Sequence, residues 1–379
     1  MNLSHILTHL GEDRSKYFNA VAPPIVQTSN FKFDKVADLH KAFENERGHH
    51  LYTRGNNPSV TLAAQKIAAI EGAEDALLLG SGAAAISNSV LANVQAGDHI
   101  VCVENAYSWA NKLLKNFLPR FDVETTFIDG RFIENFEKAR RSNTRIFYLE
   151  SPTSLMFDLQ DLKAVVALAK QHNIITIIDN SYGSPLNGNP LKWGVDISHH
   201  SATKYIGGHS DVVAGVICSS KAMIDKIFAS EMMTLGNILS PMDGWLLTRS
   251  LRTLPLRIQQ AGQTTLKVVE YLVQHPKVKR VLYTHHPSHP QYDLAIQQMP
   301  IPMALFSVEF HTNDIQQLNA FVDRLNYFLI AVSWGGHESL VIPLEVDYLG
   351  NKVPLVRFYI GLEEADVLIG DLEQTLKFL

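Results

Sequence analysis

Only two cysteines occur in the 379 residues, Cys102 and Cys218, and both sit inside apolar, strand-like runs. That scarcity excludes a disulfide framework and a cysteine-rich metal site, and it fits a reducing compartment. Charge of one sign is scarce too: the net balance of -5 gives no electrostatic footprint for nucleic acid or an anionic membrane surface. No apolar stretch is long enough to span a bilayer, and the first residues lack the basic start and continuous apolar region of a signal peptide. A cytoplasmic location is therefore expected. Internal repeats and low-complexity tracts are absent. The sixteen histidines include the adjacent pairs His199-His200 and His285-His286 but no metal-ligand spacing, so no metal is expected.

What is present is the composition of a folded chain, 46% hydrophobic and 19% charged, and long enough for two domains. Residues 1–55 have little apolar periodicity apart from a helical segment over Val36 to Glu44, and read as an arm that packs on something else. Ser59 is the expected N-cap of a helix through Ile70, stopped by Gly72. An alternation then begins. Strand-like runs at Ala76–Leu79, His99–Glu104, Val123–Ile128, Arg145–Glu150, Ile174–Asp179, Ile197–Thr203 and Val212–Cys218 are mostly separated by helical segments. Apolar runs with helical crossovers predict an α/β fold with a mainly parallel sheet covered on both faces. From Pro241 the pattern changes to a long helical stretch, Asp243 to His275, broken near Pro255. Strands at Met303–His311, Leu329–Ser333 and Leu355–Ile360 follow, with helices at Ile315–Leu325 and Glu364–Phe378, which predicts a smaller α/β region on an antiparallel or mixed sheet. Thr284 to Pro290 reads as a surface loop. The expected organisation is an arm over 1–55, a large domain over 56–248 and a C-terminal domain over 249–379.

Ligands in open parallel sheets bind at the carboxyl ends of the strands, and the chemistry-bearing residues lie there. Ser201 and Thr203, at alternating positions and so on one strand face, and Lys204 directly after them bring two hydroxyls and an amine to one strand end, a set suited to a phosphate-bearing aldehyde; an exposed lysine on a glycine-rich turn is the alternative. Gly82 and Ala83 open a helix directly after a strand, so their amides and the helix dipole offer an anion site. The surrounding Gly80 to Ala85 also matches a dinucleotide fingerprint, with Glu104 about twenty residues on; a packing turn is a third reading. Asp179 ends a buried strand and needs a cationic or donor partner, for which a protonated pyridine nitrogen would serve, or it caps the segment that follows. Tyr107 can stack on a flat ring, and Arg54, beside Tyr52, can clamp a phosphate or carboxylate. Arg357, inside an apolar strand, needs an anion, either a substrate carboxylate or a structural partner.

Asp179, the Ser201-Ala202-Thr203-Lys204 run, the glycine turn after it and the Tyr52-Thr53-Arg54 arm together resemble the pyridoxal-phosphate enzymes of cysteine and methionine metabolism. The resemblance implies a fold-type I transferase-like architecture with pyridoxal 5'-phosphate as cofactor. Lys204 would carry it as a Schiff base, Asp179 would pair with its ring nitrogen and Tyr107 would stack on the ring. The phosphate would be held by Gly82, Ala83, Ser201 and Thr203, with Tyr52 and Arg54 reaching in from a neighbouring subunit. That arrangement implies an obligate dimer, and the resemblance, to a family that is usually tetrameric, implies a homo-oligomer built as a dimer of dimers.

Within the family the sequence is most similar to the cystathionine β-lyases. Trp334, in Ser333-Trp334-Gly335-Gly336, stands where γ-enzymes usually carry leucine. Asn105-Ala106-Tyr107-Ser108 lacks a following Gly-Gly, and Ser154 replaces a common asparagine. The implied reaction is β-elimination of L-cystathionine to homocysteine, pyruvate and ammonia in methionine biosynthesis. Arg357 and the Ser333–Trp334 segment would hold the substrate carboxylate, Lys204 would take the Cα proton, and Tyr107, besides stacking, would assist as a base for the incoming amine. The alternatives are a γ-synthase or γ-lyase of the same family, a non-catalytic binder of the cofactor, and a dinucleotide-dependent oxidoreductase.

Overall fold

The computed structural model describes residues 2–348 and 350–379. Seven strands form the first sheet: β1 (Asp75–Leu79), β2 (His99–Val103), β3 (Glu124–Ile128), β4 (Thr144–Glu150), β5 (Ile175–Asp179), β6 (Ile197–Ser201) and β7 (Gly215–Ser219). Their order is β1-β7-β6-β5-β4-β2-β3. β7 runs antiparallel to both its neighbours, whereas β6, β5, β4, β2 and β3 pair in parallel. Residues of β2 and β7 are buried throughout, as expected for strands covered on both faces. Helices supply the cover: Ile86, Val90, Phe136, Val165 and Ile224 pack on one side, Ile67, Leu247 and Leu251 on the other.

A second sheet of β8 (Val278–Leu282), β9 (Leu305–Phe310), β10 (Leu329–Ile330), β11 (Leu340–Tyr348) and β12 (Asn351–Tyr359) has the order β10-β11-β12-β9-β8. It is antiparallel except where β10 pairs with β11. The helix Leu254–Val273 lies against it, and the preceding helix Pro241–Leu251 runs across residue 248 to meet the helix Pro58–Glu71. A Cβ at Gly244 would lie 3.0 Å from the backbone of Ser59 and Val60, so glycine eases the close approach of the two helices. No helix among the described residues is long and apolar enough to cross a membrane.

Several local expectations are corrected. β6 ends at Ser201, so Thr203 does not share a strand face with it. Thr203 lies in the following turn, where its hydroxyl accepts from Ala214 N at 3.0 Å. Asn57, not Ser59, caps the helix from Pro58; the Ser59 hydroxyl accepts from Val26 N instead. β10 covers two residues rather than running on to Ser333, which has φ 78 and belongs to a turn. The Thr284–Pro290 loop is not a surface feature at Thr284, His285 and His289, which are buried; His285 Nε2 pairs with the Met299 oxygen. The N-terminal arm holds a second helix, Leu3–Thr8, whose Ile6 and Leu7 enter the core of their own chain. There Lys66, buried, pairs with Glu12 and donates to the Ile6 and Leu7 oxygens.

Candidate active site

The carboxyl ends of β5 and β6 are locked together by a residue with no motif of its own. Ser181 Oγ donates to Asp179 Oδ1 at 2.6 Å and accepts from Ser201 N at 2.7 Å. Ser181 N also donates to Asp179 Oδ1, while Oδ2 takes no hydrogen bond among the described residues. Asp179 is buried, so that free oxygen is a demand for a cation or donor. His199 Nδ1 stands 3.9 Å from it, beyond hydrogen-bond reach. Burial holds the His199 imidazole down at about 4, so it is neutral and supplies no countercharge.

The helix Gly82–Leu91 begins one strand away. Ser81 caps it, its hydroxyl accepting from Ala84 N at 3.1 Å, which leaves the amides of Gly82 and Ala83 without intrahelical partners. A Cβ on Gly82 would lie 2.7 Å from Ser201 Cβ, so glycine lets the helix start close against the end of β6. Gly215, first in β7, is equally constrained by the Ser81 oxygen. The structure thus gathers Gly82, Ala83, Ser201 and Asp179 at one edge, with Thr203 and Lys204 in the adjoining turn. That turn is fixed from beneath by Arg257, which donates to the oxygens of Tyr205 and Ser250.

Lys204 Nζ donates to Ser333 Oγ and lies 5.5 Å from the centre of the Trp334 ring. Burial, with Arg357 adding to it and Asp179 opposing, lowers its amine to about 8. A substantial fraction is therefore uncharged near neutral pH, the form that acts as nucleophile or base. Trp334 packs edge-on to Tyr205, ring centroids 5.4 Å apart. Gly335, at φ 89, presses against the Lys204 backbone, where a Cβ would come within 2.7 Å. Arg357 reaches this cluster from β12, donating to the Ser333 oxygen at 2.9 Å. No carboxylate pairs with it among the described residues, which removes the structural ion pair as its explanation and leaves a half-buried guanidinium lowered to about 10 by burial alone.

Tyr107 follows β2, its ring exposed and its amide donating to Glu150 Oε2 at 2.6 Å. Burial first, then Asp179 and Glu150, raise its phenol. Tyr52 and Arg54 stand apart: both are exposed, the Arg54 guanidinium 5.9 Å from the Tyr52 ring, and no contact among the described residues ties them to Lys204. Arg54 instead lines a cavity of about 740 Å³ with Arg47, Asp75, Lys221 and Asp225, which includes none of the groups around Lys204. Ser181, Tyr205 and Glu150 are the members of the cluster that motif spacing does not single out. Glu150 and Ser181 fall within strand ends that the sheet rule points to, but their places beside Asp179 and Tyr107 are what give them a role, as the place beside Trp334 does for Tyr205.

The donor set fits pyridoxal 5'-phosphate: open helix amides and hydroxyls for the phosphate, a free carboxylate oxygen for the ring nitrogen, and an amine of lowered pKa for the carbonyl carbon. Comparison with known proteins agrees. The family model described as Cys/Met metabolism PLP-dependent enzyme matches residues 4–377. An L-methionine gamma-lyase of Treponema denticola is 35% identical over 97% of this chain and 95% of its own. A cystathionine gamma-lyase of Bacillus subtilis is 33% identical over the whole of both chains. The chloroplastic cystathionine gamma-synthase 1 of Arabidopsis thaliana is 36% identical over 98% of this chain and 68% of its own. A solved Campylobacter jejuni structure, assigned provisionally as an O-acetylhomoserine (thiol)-lyase and containing an N'-pyridoxyl-lysine-5'-monophosphate, superposes with a TM-score of 0.92 at 25% identity, covering 99% of this chain and all of that one. With the match running through nearly every residue, this chain belongs to the pyridoxal-phosphate-dependent enzymes of cysteine and methionine metabolism.

Proposed function

We propose that the protein is a carbon-sulfur β-lyase that cleaves L-cystathionine and water to homocysteine, pyruvate and ammonia. Lys204 would hold the cofactor through Nζ, Asp179 would meet its ring nitrogen through the free Oδ2, and Tyr107 would stack on the ring. Gly82, Ala83, Ser201 and Thr203 hold the phosphate. Tyr52 and Arg54, exposed and remote from their own Lys204, complete the same site in a second copy, so the active form is a homo-oligomer. Gly80 to Ala85 then serves a phosphate group and not a dinucleotide.

When bound, pyridoxal phosphate supplies the electron sink that makes the substrate Cα proton labile. The chain supplies the rest. Arg357, lacking a carboxylate partner of its own, takes the substrate carboxylate, and its tie to Ser333 fixes the direction of its guanidinium. Lys204 Nζ would accept the Cα proton, for which an amine lowered to about 8 is suited. Departure of the homocysteine sulfur from Cβ completes the elimination.

The observation that carries the β-assignment is Trp334. It forms an aromatic wall with Tyr205 beside the Lys204 amine, where the γ-enzymes that this chain resembles usually have the narrower leucine. A γ-elimination on the same machinery is the second reading, favoured by the names of the relatives. Incubating purified holoenzyme with L-cystathionine separates them. Pyruvate with a free thiol equal to homocysteine supports β-cleavage; a four-carbon keto acid with cysteine supports γ-cleavage and overturns the proposal.

A further inference from the structure

Beneath the site, three parallel strands set three titratable residues side by side. In the register of the sheet Glu150 on β4 pairs with Asp179 on β5, and Asp179 pairs with His199 on β6. Residues at matching positions of adjacent strands point to the same face. Glu150 and Asp179 are both buried, and no lysine or arginine forms an ion pair with Glu150 among the described residues. Both oxygens of Glu150 are engaged by donors: Oε1 accepts from Ser154 Oγ and Oε2 from Tyr107 N, each at 2.6 Å. The second of these reaches directly to the residue that stacks on the cofactor in the reading above.

We propose that Glu150 is a positioning residue for the cofactor site: it fixes the Tyr107 loop through the main-chain amide, and its own charge state sets how much negative charge the row presents to the ring nitrogen. The inference rests on the assignment of Asp179 to that nitrogen. Two neighbouring buried carboxyls do not both ionise freely. Burial, and then the Asp179 charge, push the Glu150 carboxyl well above the usual carboxylate range, while the Ser154 and Tyr107 donors oppose them. The other groups facing it carry no balancing charge. Cys102 on β2 and Tyr148 on its own strand are raised by burial, and the Tyr107 phenol is raised as well. His199, beyond Asp179, is neutral and pairs with Tyr148 OH at 3.1 Å. With Glu150 protonated the row holds one negative charge, matched to one ring cation. Loss of its proton makes two, stabilises the cation further and tightens the grip on Tyr107.

The test is a pH titration of the visible absorption of the holoenzyme, a reading independent of turnover. Wild type is expected to show a titration step that Glu150→Gln loses, since glutamine keeps an acceptor for Tyr107 N but cannot ionise. Ser154→Ala, which removes only a donor that favours the ionised carboxylate, is expected to move the step to higher pH, and it keeps the test decisive if Glu150→Gln fails to fold. A step unchanged in both variants, or no step in a wild-type protein that does show the cofactor band, overturns the inference. A wild type with no cofactor band at all would instead overturn the reading of the site on which it rests.

Discussion

Arg357 Nη2 donates to the main-chain oxygen of Ser333 at 2.9 Å, and the hydroxyl of that same serine accepts from Lys204 Nζ. Two basic side chains, one from the turn after β6 and one from β12, thus meet on one residue, itself held in a left-handed conformation at φ 78. Neither has a carboxylate close enough to pair with among the described residues. Their mutual repulsion is relieved by an anion between them, so the arrangement is set to receive a carboxylate.

Arg357→Met is therefore expected to lower kcat/KM by roughly 10²-fold or more, about 3–5 kcal/mol for a charged contact of this kind, with the larger part in KM. Arg357→Lys restores charge but not the planar fork and recovers only part of the loss. Steady-state kinetics on both variants checks this.

The same substitution has a pH signature. Burial is the main cause that lowers Lys204, and the Arg357 charge is the second. Removing that charge raises the amine, so less of it is deprotonated at neutral pH. The rising limb of the kcat profile is expected to move to higher pH in Arg357→Met; an unmoved limb would show that the limb does not report Lys204.

Lys204→Ala is expected to cut turnover by at least about 10³-fold, since it removes the proton acceptor and the covalent hold together. The visible band of the purified protein should change with it. Normal activity in this variant would sink the scheme.

Gly335→Ala tests the packing behind the lysine. Alanine is strained at φ 89, and its Cβ would meet the Lys204 backbone at 2.7 Å. A loss of at least ~1 kcal/mol of stability is expected, together with a displaced Lys204 and reduced turnover, while Gly350→Ala, at φ 79 but with open space around it, should cost stability alone. Thermal melts and activity on the pair separate strain from displacement.

Acid should weaken the fold before carboxylates titrate. His99, His199, His285 and His289 are buried and lowered to about 4 from an ordinary 6.5. The unfolded chain binds these protons first, so the stability that the four neutral rings confer is present above pH 6.5 and is lost as pH falls towards 4. Melting temperature followed across that window should fall, and less steeply in His285→Gln.

The first sheet was legible because its strands are short apolar runs between helices, and β1 to β5 begin and end within a residue or so of where the pattern puts them. Elements on the second sheet were harder. β11 alternates with Pro343, Glu345 and Asp347, and β8 has Lys279 and Arg280 at its centre, so neither reads as a buried run. The strand ends pointed to Lys204, Asp179 and Arg357, since charged groups after or within apolar strands stand out. Ser181 and Glu150 did not stand out as working residues, because a serine and a strand-terminal glutamate are ordinary in sequence; only the register that sets Glu150 against Asp179 distinguishes it. The strand expected through Thr203 failed for a local reason: the backbone must turn at Ala202 for the Thr203 hydroxyl to reach Ala214.

The antiparallel β7 between β1 and β6 sets a timetable for the newborn chain. Among the described residues β7 is the one strand that pairs with β1, which otherwise makes a single bridge from Leu79 to Ile238, and the register mate of Asp75 is Ser219. At the usual pace of synthesis the ribosome needs on the order of ten seconds to make the intervening stretch. Throughout that interval β1 waits for the strand it pairs with in the finished sheet.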